Sequence, residues 1–163
     1  MNANQFFLQL IKPPIFLWLG IFIAISFLET PLKFQVPGIT LAFALSLGKI
    51  MFGISTNIQI GFCVFILLAM AWKAKKVKPL YFSMVILLFL LLIAQKFWML
   101  SVLDERADLL IQNKPAGTSN LHDIFIYSEV FKLLVLLFLG FSNPLKAKYP
   151  QTSNLEHNQL QKI

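Results

Sequence analysis

Residues 80–103 read "LYFSMVILLFLLLIAQKFWMLSVL", and from Met84 to Ala94 no side chain is polar. As a helix rising 1.5 Å per residue, this stretch outspans the hydrocarbon core of a bilayer, which is roughly 30 Å thick. In hydrocarbon every backbone polar group must be paired within its own segment or within a closed barrel, and the run lacks the alternation of outer-membrane strands. It reads as a membrane helix. Three further blocks read the same way: "IFLWLGIFIAISFLETPLKF", apolar over 15–28 and closed by Glu29 and Pro31; residues 57–72; and "LHDIFIYSEVFKLLVLLFLGF", residues 121–141. With 58% hydrophobic and only 13% charged residues, the chain departs from the soluble norm of about 45 to 50% apolar. The expected fold is all-α, an integral membrane four-helix bundle.

Two shorter helices are expected beside the four spans. "NANQFFLQLIK" places Phe6, Phe7, Leu10 and Ile11 at helical spacing, so residues 1–13 read as an interfacial amphipathic segment broken from span one by Pro13 and Pro14. Span one lacks a small-residue cleavage site and reads as a retained anchor. Residues 39–55 read as an extra amphipathic helix between spans one and two, packed at the outer surface or dipping into the outer leaflet. Residues 104–118 form an external loop, Ser119 or Asn120 caps span four, and Asp123 in its first turn complements the helix dipole. The four-span domain covers 14–142, and 143–163 is expected to be a disordered polar cytoplasmic tail.

The net charge of +7 is distributed by topology. Lys12 precedes the first block, Lys73, Lys75, Lys76 and Lys78 crowd one connector, and Lys146 and Lys148 follow the last. Lysines in short loops mark the cytoplasmic side, which predicts that both termini are cytoplasmic and that lipid headgroups are the anionic neighbours, with no nucleic-acid partner. Cys63 is the only cysteine, so no intrachain disulfide can form.

Several short motifs lie in a fixed order: "LWLG" entering span one, "SFLETPLKF" leaving it, "SLGKIMFGI" after it, "LDER" after span three and "LHDIFIYSEVFK" opening span four. Over residues 14–142 this order resembles an uncharacterised bacterial family of four-span membrane proteins, distantly grouped with copper-resistance D-like membrane proteins. The resemblance implies a bundle in the bacterial inner membrane. It implies no agreed activity and assigns no functional residue.

The chemistry begins with what is missing. No glycine-rich phosphate loop, paired-cysteine motif or HExxH is present, so no enzyme activity is expected. His122 and His157 are the only histidines, and His157 lies in the tail, so one subunit offers no histidine pair to a haem. The methionines are dispersed and read as core. No cofactor is expected.

What remains is a set of ionisable groups toward one end of the spans: Glu29, Lys49, Lys96, His122, Glu129 and Lys132. Lys49 and Lys96 can snorkel to the interface, and Glu29 can pair with Lys33. Glu129 is the costly one, because a charge near the middle of a membrane helix costs at least about 2.5 to 3.5 kcal/mol. It lies seven residues beyond His122, about 10 Å deeper and within about 20° of the same face, with Lys132 following at i+3. Two readings stand. Glu129 and Lys132 form a neutralised structural pair, or Glu129 faces a water-containing pocket with Lys96 or Glu29 and exchanges a proton or holds a cation. At the level of function this leaves a small, oligomeric transport or permeation protein, or an accessory or assembly subunit of a larger membrane complex. A haem or copper redox protein is the third candidate.

Overall fold

The computed structural model of the chain describes residues 3–146. Among the described residues four long helices account for nearly everything. Helix α1 opens with Ala3–Ile23, passes through a π-helical turn at Ala24–Glu29 and ends with Thr30–Lys33. Helix α2 is Leu41–Trp72. Helix α3 opens with Pro79–Ala94, widens into a π turn at Gln95–Met99 and continues as Leu100–Ile111, and helix α4 is Leu121–Phe141. All four are long and apolar enough to cross a membrane. Each packs against its two neighbours around the bundle, and α4 returns to α1.

The interfacial segment expected over 1–13 is not separate. Helix α1 carries Pro13 and Pro14 inside it. The reason is packing: Phe7, Ile11, Ile15, Trp18 and Phe22 form one fully buried stripe at helical spacing, which runs straight through the prolines. Only two N–H donors are lost, a defect that membrane helices tolerate where neighbours serve the freed carbonyls. The expected extra helix over 39–55 is likewise the first half of α2. Thr40 caps it, its side-chain oxygen accepting from Phe43 N, and no proline interrupts the helix up to Trp72. Its buried residues Ala44, Gly48, Ser55, Gln59, Cys63, Ile66 and Met70 keep one face throughout. At about 1.5 Å per residue α2 is longer than a bilayer's hydrocarbon is thick, so its ends stand beyond it.

The third correction concerns 104–118. "DERADLLI" continues α3 to Ile111, and the loop is confined to residues 112–120. It turns at Asn113, with φ 56°, and Gly117, with φ 66°. Arg106 holds this loop by donating from Nη2 to the Gly117 carbonyl at 2.9 Å. Asn120 occupies the N-cap position of α4 without a side-chain bond, while Ser119 Oγ accepts from Leu121 N at 3.1 Å.

The opposite end collects the lysines. Lys12 Nζ donates to the carbonyls of Leu139, Gly140 and Ser142, closing the C-terminal end of α4 from α1. Lys73 Nζ lies 5.6 Å from the centroid of the Phe7 ring. Backbone bonds from Lys78 N to Pro144 O and from Lys146 N to Lys76 O tie the α2–α3 connector to the start of the tail. From residue 147 the expected disordered tail lies outside the described residues.

Candidate polar site within the bundle

Glu129 and Lys132 sit on consecutive turns of α4, both buried at 6% and 1% exposure. Lys132 Nζ stands 2.6 Å from Glu129 Oε1, so the i,i+3 pair expected from the sequence is formed. The partners from other helices were not in the expected set. Gln95 Nε2 donates to Glu129 Oε1 at 2.8 Å and to Ser128 Oγ at 2.7 Å, while its oxygen accepts from Lys132 Nζ at 2.9 Å. Ser26 Oγ donates to Glu129 Oε2 at 2.7 Å. The Phe22 ring covers the ammonium, its centroid 4.8 Å from Nζ, which adds a cation–π attraction inside an apolar surround.

Both outside donors come from π-helical turns. Ser26 lies within Ala24–Glu29 of α1 and Gln95 begins Gln95–Met99 of α3. An extra residue in a turn rotates the side chains beyond it relative to those before it, and such turns recur at functional sites. Here the two widened turns face α4 and supply its carboxylate with one hydroxyl and one amide. With Lys132 the carboxylate has three short polar contacts. One step beyond, Trp18 Nε1 donates to Gln59 Oε1 at 3.2 Å and Gln59 Nε2 to Ser55 Oγ at 3.0 Å, so α2 carries a separate buried polar chain against α1.

Glu129 also forms part of the wall of a cavity of about 490 Å³ that extends away from the lysine-rich end. Ser26, Lys33, Lys49, Asp104, Arg106 and His122 are the other polar or charged residues lining it, apart from Thr30. Phe52 and Phe125 meet edge to face across it, ring centroids 5.6 Å apart. Its size lies within the range of small-molecule pockets, about 300 to 1,000 Å³, as does its pattern of apolar walls with a few polar groups.

The six residues expected at a shared site are therefore divided. Glu129 and Lys132 touch, and Glu129, His122 and Lys49 line one cavity. Lys49 is held at the cavity's edge by Asp108, 2.5 Å from its Oδ1. Glu29 makes the local pair with Lys33, Oε2 to Nζ 3.6 Å, and reaches the cavity only through that lysine. Lys96 does not join. Its side chain is exposed and donates to Asn57 Oδ1 at 2.7 Å on the outside of the bundle. Of the residues missed, Gln95 carried a signal, being the one amide in a long apolar run; Ser26 carried none.

No family model, curated protein or solved structure matches this chain. The fold and the site define its class on their own terms: a multi-pass membrane protein of four helices, with a buried ion pair beside a cavity.

Proposed function

We propose that this chain is a small inner-membrane transport or permeation protein, whose cavity admits an ion or small solute from the outer side and whose Glu129 is the group that responds to it. The observation that supports the reading is the position of Glu129. A carboxylate paid for by Lys132, Ser26 and Gln95 is an expensive way to hold helices together, yet this one also faces a cavity. Ionisable groups so placed within membrane bundles mark ion and proton pathways. Lys132 bonds Glu129 and Gln95 at the same time, so the amide can keep hold of the ammonium when the carboxylate engages a solute.

Native protein in liposomes holding a trapped pH-sensitive dye is expected to pass protons under an imposed potential, and Glu129→Gln is expected to abolish the flux while inserting normally. A native flux no greater than that of empty liposomes would remove the transport reading. An accessory role in a larger membrane complex is the second reading, favoured by the completeness with which the ion pair is satisfied inside one chain. It predicts a stoichiometric partner on gentle purification and no flux.

Orientation follows from charge. Lys12, the lysines of the 73–78 connector and Lys146 share one end of the bundle, and that end is cytoplasmic by the positive-inside rule. A single cysteine placed at Lys75 should resist a membrane-impermeant thiol reagent in intact cells, whereas one at Lys114 should react. Labelling of the Lys75 position would invert the assignment.

A further inference from the structure

Lys33 is the anomaly of the cavity wall. Its side chain is 6% exposed, and its ion-pair partner Glu29 Oε2 stands 3.6 Å away, beyond hydrogen-bond distance. Otherwise its ammonium meets aromatic faces, 5.7 Å from the centroids of Phe34 and Phe52. An ammonium has three donors to satisfy, and this one borders the cavity. Gly48 makes the room for it: a Cβ there would stand 2.9 Å from Lys33 Nζ. Among the described residues Glu29 Oε1 is buried without a hydrogen-bond partner, so the carboxylate side of the pair is incomplete.

The rest of the lining fixes the sign. Among the ionised groups of the wall, Glu129 is tied to Lys132, Lys49 to Asp108 and, more loosely, Lys33 to Glu29, which leaves Arg106 with Asp104. The lining residues themselves are three cations, Lys33, Lys49 and Arg106, and two carboxylates, Asp104 and Glu129, with His122 on the same wall. Phe27, Leu45, Phe52, Leu103, Phe125 and Ile126 make the remainder apolar.

We infer that the cavity binds a small monocarboxylic acid with an apolar body, its carboxylate seated on the Lys33 ammonium and its body among the aromatic side chains. One ammonium with one guanidinium nearby suits a monoanion; a phosphate dianion would call for more charge-assisted donors. This assignment rests on the reading of the cavity as a solute site and names the solute's class.

The test is equilibrium binding of radiolabelled decanoate to the full chain in nanodiscs, with decan-1-ol and decyl phosphate as competitors. Decanoate is expected to bind saturably, and Lys33→Gln to weaken it about tenfold or more, the loss of one charge-assisted bond. Lys33→Arg should retain binding. Glu29→Gln, which removes the competing carboxylate, should tighten it, and this variant keeps the inference falsifiable if Lys33→Gln fails to fold. Binding unchanged in Lys33→Gln, or weakened in Glu29→Gln, would overturn the assignment, as would decan-1-ol or decyl phosphate competing better than decanoate itself. Decanoate binding without proton flux leaves this inference standing and removes Glu129 as a proton path, whereas flux without decanoate binding does the reverse.

Discussion

Glu129→Leu is expected to destabilise the bundle by about 3 to 5 kcal/mol, the cost of stranding a buried charge when its partner is removed. The stranded group is Lys132, which is 1% exposed and keeps only the Gln95 oxygen and the Phe22 ring once the carboxylate has gone. Ser26 loses its acceptor as well. The double change Glu129→Leu with Lys132→Leu removes both charges together, and replacing a whole buried pair by apolar residues is often neutral. It is expected to recover most of the loss in thermal unfolding followed in detergent. The two readings of the site then separate cleanly: recovery of stability together with flux makes the pair structural, and recovery of stability without flux makes Glu129 functional. A single variant as stable as the native chain would mean that the charges are not buried together.

Gln95→Leu is expected to cost about 3 kcal/mol, because two charged groups each lose a hydrogen bond worth about 1.5 to 3 kcal/mol and the volume change is small. Gln95 is the junction of the site, with 1% exposure and bonds to Glu129, Lys132 and Ser128. The neighbouring Lys96→Gln is the control. That lysine is exposed and, among the described residues, meets Asn57 and the face of its own neighbour Phe97, so its replacement is expected to move the unfolding midpoint little. Comparable losses at the two positions would contradict the placement of Gln95 at the centre and Lys96 outside. Adjacent residues leave a helix about 100° apart, so Gln95 can face α4 while Lys96 faces outward.

The sequence by itself determined the four spans, the gathering of lysines at one end and the Glu129–Lys132 pair. Each is a local property: span length follows from an unbroken apolar run, and an i,i+3 pair follows from the pitch of one helix. Tertiary structure decided the rest. Pro13 and Pro14 read locally as a break, yet the buried stripe from Phe7 to Phe22 carries α1 through them, because packing against neighbouring helices outweighs two missing donors. Residues 39–55 read as a separate surface helix, yet their buried face continues into that of Ser55, Gln59 and Cys63. Ser26 and Gln95 reach Glu129 from π turns in two different helices, and no pattern within either helix reports which neighbour it will face. Lys33 became a cation of the cavity wall for the same reason, since Gly48, the residue that leaves it room, lies on another helix.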